Sequence, residues 1–382
     1  MSQWPKIALG DVLCRSSEPA VCVPDVEYDE VTIRLWGKGV ISRGKVRGAD
    51  VTTPRRVVRA NQLILSKIDA RNGAIGLVPQ ELDGAIVSND FPSFEFANSR
   101  QLAPAFMGWM VRSRHFVDLC KAASEGTTNR VRIKEDRFLA QQIVLPPLAE
   151  QQAIVSRLDT LADKVRQVNE RLDAIELDAD RLLAVRFRDA IAGAPLRPMS
   201  EVTPAVRRSV TIDIDKRYRE VGARSFGRGL FVKPDFDGAD ATWQKPVWIK
   251  SGDVVLSNIK AWEGAIAVAS PEHDGCIASH RYITCVPDST VLTAGFLTYF
   301  LLSPDGLEKI GFASPGTADR NRTLSLTNLG KIEVPLPPIV TQRTFDALQT
   351  KVAELKARHA SIRQANDALI PATLERVFSE AY

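Results

Sequence analysis

The sequence contains the same folding unit twice, in tandem. A pattern that begins at Tyr28 returns about 190 residues later, from Tyr218. The residues shared by its two copies are Tyr28, Glu30, Val31, Arg34, Gly37 and Gly39, and then Tyr218, Glu220, Val221, Arg224, Gly227 and Gly229. Later blocks repeat likewise: Leu65-Ser66, Gly73-Ala74-Ile75 and Leu145-Pro146-Pro147 return as Leu256-Ser257, Gly264-Ala265-Ile266 and Leu336-Pro337-Pro338. This spacing fits a whole domain and is far longer than a solenoid repeat.

Each copy combines patterns typical of strands and of helices. Between Leu63 and Phe96, short apolar runs alternate with Asn-Gly and Asp-Gly turns, which predicts a meander of strands. Steps of three and four residues then predict a helix with an aromatic face: Leu102, Phe106, Trp109, Ser113, Phe116 and Cys120. Each copy is therefore predicted to be an α+β domain.

A long heptad pattern follows each domain. Proline and glycine are absent from Ala149 until Gly193, so one long helix is expected there. The predicted helix-pairing seam is Ile154, Leu158, Leu161, Val165, Val168, Leu172 and Ile175, with Phe345, Leu348, Val352, Leu355 and Ile362 in the C-terminal repeat. Each helix leaves its domain from the equivalent point, so we expect the two helices to pair antiparallel with pseudo-two-fold symmetry. His359 and Asn366 fall on the second stripe and either fix its register or face water.

The predicted fold is thus two duplicated α+β domains separated by two long antiparallel coiled-coil helices. Its four segments are a domain at 1–148, a spacer helix at 149–193, a second domain at 194–338 and a C-terminal helix at 339–382. At about 1.5 Å per residue, the spacer helix would be roughly 65 Å long.

Positive charge is concentrated in one part of the chain. The net charge is only +4, but the stretch from Arg34 to Arg71 holds many cations, opposed only by Asp50 and Asp69. The second copy has a weaker counterpart from Arg207 to Lys233. Such clusters favour a polyanionic partner, because neutralised phosphates release counterions. A solvated basic face is the alternative interpretation.

The sequence carries few signs of catalysis. It has no GxxxxGK[ST] phosphate loop and no Asn-Pro-Pro-aromatic methyltransferase motif, and its four histidines are scattered. Its five cysteines form no CxxC or Cys/His cluster, so neither a zinc site nor a disulfide framework is expected. We expect no cofactor, and, because no signal peptide or membrane-spanning pattern is found, a cytoplasmic protein.

The order of these features resembles the specificity (S) subunit of type I restriction-modification systems. The similarity lies in Tyr-Xaa-Glu-Val with Gly37-Lys38-Gly39, in Ser66-Lys67-Ile68, and above all in Leu145-Pro-Pro-Leu-Ala-Glu-Gln-Gln152 leading into a helix. The second copy departs from the pattern after Pro338, where the counterpart of Glu150 is missing.

The resemblance implies a subunit without chemistry of its own. Each domain would be a target-recognition domain that reads one half of a bipartite, asymmetric sequence in double-stranded DNA. The helices would dock two adenine methyltransferase (modification) subunits, with the polar faces of residues 157–171 as candidates, and translocating restriction subunits would then join.

Arginine and asparagine can read base edges, whereas a run of cations is suited to phosphate contacts. Our candidates in the first copy are Lys38, Arg43, Lys45, Arg47, Lys67, Arg71, Asn72, Asn129, Arg130 and Arg132. Those in the second are Arg228, Lys233, Asn258, Lys260, Trp262, Arg320, Asn321 and Arg322. Two other classes of function remain open: a chain with its own nuclease activity, and a non-DNA interaction scaffold.

Overall fold

The computed structural model describes residues 4–126, 131–241, 245–316 and 322–379. The chain divides into two units, Met1–Leu172 with Ala360–Tyr382, and Asp173–His359. This division cuts through the two long helices, whereas the sequence pattern treats each helix as a segment of its own.

The first unit is built around two four-stranded sheets. Its strands are β1 Lys6–Ala8, β2 Leu13–Ser16, β3 Glu27–Ile33, β4 Val40–Arg47, β5 Arg56–Val57, β6 Leu63–Leu65, β7 Ile75–Leu77, β8 Ile86–Val87, β9 Ser93–Phe96, β10 Ser124–Glu125, β11 Arg132–Ile133 and β12 Gln142–Val144. The sheet orders are β2-β9-β6-β7 and β4-β3-β8-β5, with the pairs β1-β12 and β10-β11. Alternate residues of β6 face opposite sides: Leu63 and Leu65 enter one core and Ile64 another. One fully buried strand therefore joins two hydrophobic layers.

The helices of the first unit are α1 Pro104–Met110, α2 Arg114–Ala122, α3 Glu135–Leu139 and the start of α4 Leu148–Ile191. The predicted aromatic face is buried, but the single helix expected there is two helices. Ser113 ends the first, because its hydroxyl accepts a hydrogen bond from Phe116 N (3.2 Å) and caps α2.

The second unit repeats the order of elements. Its strands are β13 Leu196–Pro198, β14 Arg217–Tyr218, β15 Val221–Ala223, β16 Leu230–Val232, β17 Phe236–Asp237, β18 Val247–Trp248, β19 Val254–Ser257, β20 Ile266–Val268, β21 Ile277–Ala278, β22 Tyr282–Cys285 and β23 Glu333–Pro335. Its helices are α5 Met199–Val202, α6 Ala294–Leu302, α7 Pro304–Ala313, α8 Leu326–Gly330 and α9 Ile339–Ser379. β19 corresponds to β6: Val254 and Leu256 enter one core and Val255 another. The duplication inferred from the sequence is thus a duplication of fold.

The long helices α4 and α9 pair antiparallel, as predicted. In the first unit, Asn366 Nδ2 donates to Asn169 Oδ1 (3.1 Å). In the second unit, His359 Nδ1 lies 3.0 Å from Glu176 Oε1, and Lys356 Nζ lies 2.6 Å from Asp180 Oδ1. Residue numbers rise along α4 as they fall along α9, so the helices run in opposite directions.

The seam prediction is wrong at three positions. Val168 and Ile175 of α4 and Ile362 of α9 are 37%, 46% and 42% exposed. The contact passes instead through the polar neighbours Asn169 and Glu176. A heptad pattern assigns apolar residues to every contact position. At these positions the two helices instead face each other through the polar pairs Asn169–Asn366 and Glu176–His359.

Candidate nucleic-acid interface

In the first unit, three segments meet at one main-chain junction. Lys67 N donates to Asp90 O (2.8 Å), and Ile133 N donates to Lys67 O (2.8 Å). The turn after β6 is thereby tied to the segment before β9 and to β11. The junction gathers side chains that are far apart in the sequence.

Two of the predicted contact residues, Lys67 and Arg132, come together at this junction. Lys67 Nζ lies 2.8 Å from Glu135 Oε1, and Arg132 Nη1 lies 2.9 Å from Asp90 Oδ1. Arg15, which the sequence did not single out, places Nε 3.2 Å from the other oxygen of Glu135. Charges of both signs thus alternate across a partly exposed surface, where donors and acceptors can both meet base edges.

The second unit builds the same junction from different side chains. Asn258 N donates to Arg281 O (2.8 Å), and Leu324 N donates to Asn258 O (2.7 Å). Asn258, Arg281 and Thr323 thus take the places of Lys67, Asp90 and Arg132. Among the described residues, Asn258 Oδ1 is buried without a hydrogen-bond partner. The main-chain frame is common to both units, and the groups that it presents are not.

Asp90 and Arg281 are junction residues that the sequence analysis missed. Both lie in loops, and their main-chain carbonyls accept the hydrogen bonds that bring them to the junction. A comparison of the two copies for aligned positions of opposite charge could have found them.

A short turn follows the junction in each unit. In the first, Arg71 and Asn72 lie on it, and Gly73 ends it in the left-handed region, with φ at +77°. In the second unit, Lys260 Nζ lies 5.1 Å and the Arg322 guanidinium 4.7 Å from the centre of the Trp262 ring. These three predicted residues therefore form a cation–π stack.

Most of these cations also have protein partners. Lys260 Nζ lies 2.5 Å from Glu263 Oε1, and this hydrogen bond lowers the pKa of Glu263. Arg322 donates to Gly311 O (3.1 Å), so it also holds the end of α7. The remaining candidates in this region, Asn129, Arg130, Arg320 and Asn321, lie outside the described residues.

The basic run of the first unit lies on β4 and the hairpin before it. Lys38, Arg43, Lys45 and Arg47 are exposed and form no ion pair within the described parts of the chain. The β3–β4 register shifts at Arg43, which has no partner on β3. Free, exposed cations along one strand are suited to phosphate contacts.

Other cations in the basic stretches are neutralised. Arg55 Nη2 lies 3.1 Å from Glu30 Oε1, and Arg59 hydrogen-bonds Glu18, which lowers the pKa of that carboxyl. In the second unit, Lys233 Nζ lies 2.9 Å from Glu220 Oε1. Within the described residues, the stretch from Arg34 to Arg71 therefore holds more cations without an ion pair than the stretch from Arg207 to Lys233.

Within the described ranges, no cluster of histidine, cysteine and carboxylate side chains could hold a metal ion. Burial raises the pKa of the Cys120 and Cys285 thiols to about 12, so both are protonated at neutral pH. In those same ranges, none of the helices carries an apolar stretch long enough to cross a bilayer.

Comparisons with known proteins bear on the family of the first part of the chain and on the fold of the whole. Residues 1–177 match the family model described as "Type I restriction modification DNA specificity domain". The HsdS subunit from Thermoanaerobacter tengcongensis is 22% identical with a TM-score of 0.63, over 100% of this chain and 98% of that one. A second solved chain comes from a structure titled "Structural basis underlying complex assembly and conformational transition of the type I R-M system". It is 23% identical with a TM-score of 0.70, and the match covers 99% of this chain and 98% of that one. No curated protein matches the chain in sequence. The structural likenesses show a shared fold along the whole length.

Proposed function

We infer that the whole chain is the specificity subunit of a type I restriction-modification complex. The inference starts from residues 1–177, which match the family of type I restriction modification DNA specificity domains. The chain binds double-stranded DNA and carries no catalytic step of its own. The chemistry belongs to two adenine methyltransferase subunits and to translocating restriction subunits that assemble around it.

The target is bipartite, and its two halves differ in sequence. The observation that carries this proposal is the pair of junctions. One main-chain frame presents Lys67, Asp90 and Arg132 in the first unit but Asn258, Arg281 and Thr323 in the second. Different donors and acceptors in equivalent positions select different bases. The free cations of β4 hold the phosphates and supply affinity that falls with salt.

The long helices set the gap between the two half-sites and dock the methyltransferase. Apolar side chains on α4 support a protein partner there, because Val168 in the first unit and Leu177, Leu182 and Val185 in the second are 37%, 52%, 43% and 42% exposed. Apolar groups that the helix pair does not bury are typical of an interface.

The test is a long-read methylation map of the host genome with the gene intact, deleted, and restored on a plasmid. We expect adenine methylation to disappear from one asymmetric, gapped motif on deletion and to return on restoration. If the methyltransferase subunits are expressed and deletion changes methylation at no motif, the specificity role is rejected. The non-DNA scaffold would then be the better proposal. Plasmid cleavage by the purified chain with magnesium alone would instead indicate a nuclease.

A further inference from the structure

The tip of one hairpin in each unit presents an aromatic side chain to solvent. In the first unit the hairpin joins β3 to β4, and Trp36 at its tip is 69% exposed. In the second unit β15 and β16 form the equivalent hairpin, and Phe226 is 74% exposed. Rings so exposed gain little from packing within the chain.

Both rings stand on a backbone conformation that disfavours them. The φ angles of Trp36 and Phe226 are +61° and +62°, and the glycines that follow, Gly37 and Gly227, have +65° and +64°. Two successive positive φ angles are what a type I′ turn requires, and Asn-Gly is its preferred pair. A bulky side chain is rare there, because its Cβ approaches the following carbonyl oxygen. Both copies nevertheless carry a ring where the turn favours asparagine. The conformational cost of that ring points to a contact that it makes outside the chain.

Main-chain hydrogen bonds hold each tip against the turn next to the junction. Trp36 N donates to Asn72 O (2.9 Å), and Phe226 N donates to Glu263 O (2.8 Å). The following glycines donate to Gly73 O (3.0 Å) and Gly264 O (2.9 Å). The main chain that carries each ring is thus held beside the surface that we propose reads DNA, so little backbone freedom is lost when the ring binds.

The surroundings of both rings are positively charged. Trp36 lines a groove of about 700 Å³ together with Arg112, Arg114 and Lys121. Glu375 lies on the same lining, and Lys121 Nζ is 2.7 Å from Asp118 Oδ1, so cations still outnumber carboxylates there. In the second unit, the Arg228 guanidinium lies 5.8 Å from the centre of the Phe226 ring. A planar ring amid cations suits a base carried on a phosphate backbone, and base–aromatic stacking is a common mode of nucleic-acid binding. This charge favours DNA over a protein surface as the occupant.

We propose that Trp36 and Phe226 each stack on a base of the DNA target, one in each half-site, at a step that binding unstacks. The inference rests on the proposed function and adds a contact that does not depend on hydrogen bonding to base edges. The junction selects bases by their edges, whereas the rings favour sequences that unstack easily.

The test compares substitutions at Trp36 in the full-length chain, with duplexes that carry the target found by methylation mapping. Trp36→Asn removes the ring and keeps a residue that tolerates the left-handed turn, and Trp36→Phe keeps a ring. Val21→Asn, at a site 84% exposed, is the matched control for an apolar-to-asparagine surface change. We expect W36N to bind the target roughly tenfold more weakly, with an unchanged salt dependence. W36F and V21N should bind like wild type.

A scan with abasic duplexes then identifies the stacked base. At that position, removing the base should abolish the difference between wild type and W36N, because the ring and the base act as one pair. Phe226→Asn repeats the experiment independently on the other half-site. It therefore still tests the inference if W36N does not fold.

Two results would overturn the inference while the proposed function stands. In one, wild type prefers its target and both asparagine variants bind it equally well. In the other, the variants lose methyltransferase binding but keep their affinity for DNA, which would assign the rings to a protein interface. A wild-type chain without any preference for the mapped target would instead reject the proposed function.

Discussion

Two buried glutamines attach the long helices to their own units. Gln151 and Gln342 are both 0% exposed. Gln151 Oε1 accepts from Ala103 N (2.9 Å), and its Nε2 donates to Gln101 O (2.8 Å) and Pro146 O (2.9 Å). Gln342 makes the equivalent bonds with Thr293 N, Val291 O and Pro337 O. The glutamine of the repeated motif therefore connects the start of each long helix to its domain through three buried hydrogen bonds.

Replacing Gln151 should destabilise the protein. Gln151→Ala leaves one main-chain donor and two acceptors without their partner in a buried site, so we expect the free energy of unfolding to fall by about 2–3 kcal/mol. Gln152→Ala, at the exposed neighbouring position, is the matched control and should change it by less than about 0.5 kcal/mol. Urea unfolding followed by circular dichroism measures both. Equal stability of the two variants would mean that the three bonds contribute nothing.

At the level of elements, the proposed function gives β4 and the junction separate tasks. Lys45→Ala should weaken binding to all sequences alike and reduce the slope of log K against log salt by about 0.9, because one phosphate contact is lost. Arg132→Ala should relax discrimination in one half-site roughly tenfold and leave that slope nearly unchanged. Titrations of target, single-base variants and random duplex at several salt concentrations separate the two effects.

Arg197→Ala serves as the control for loss of a cation, because Arg197 is ion-paired with Glu201 in the second unit. It should leave both the slope and the discrimination as they are. If Lys45→Ala changed base preference and Arg132→Ala did not, the division of tasks between strand and junction would be wrong.

Elements with a local signal could be predicted from the sequence. The meander of strands, the two long helices and their antiparallel pairing follow from turn residues, apolar spacing and the repeat. Ser113 was missed as a helix boundary, because the steps of three and four residues along the aromatic face continue through the capping serine. Val168 and Ile175 were assigned to the seam because an apolar count does not recognise polar pairs such as Asn169 with Asn366.

The candidate site could be predicted only in part. Lys67 and Arg132 were found as cations near repeated blocks, and the structure brings them together. Asp90 and Arg281 were not found, because their place depends on main-chain bonds between distant segments. Nonlocal pairing leaves no periodic trace in a single sequence.

At the scale of the whole molecule, the two units use equivalent aromatic contacts with the long helices. In the first unit the Phe106 and Phe378 rings lie 5.6 Å apart, and in the second the Phe296 and Phe187 rings lie 5.1 Å apart. Phe378 belongs to α9 and Phe187 to α4. Each domain thus packs against the C-terminal end of the long helix that begins after the other domain.

This equivalence predicts the behaviour of a half-length chain. A chain cut after Gly193 keeps the first domain and α4 but loses α9, so the equivalent Phe187 of a second copy can take the site of Phe378. We expect a homodimer by light scattering, and, with methyltransferase subunits present, methylation of a symmetric target with two identical half-sites. Phe187→Ala in that chain should weaken the dimer. A folded monomer at micromolar concentration would contradict the prediction.

The common frame of the two junctions also bears on how such a protein acquires a new target. Main-chain bonds hold the frame, and Lys67, Arg132, Asn258 and Arg281 lie at its exposed or half-buried edge, outside the hydrophobic cores. Under the proposed function, exchanges at these positions would change the recognised bases with little effect on folding, since surface substitutions rarely alter stability much. Divergence of one half-site can therefore proceed in small steps, each leaving a folded protein whose other half-site is still read correctly.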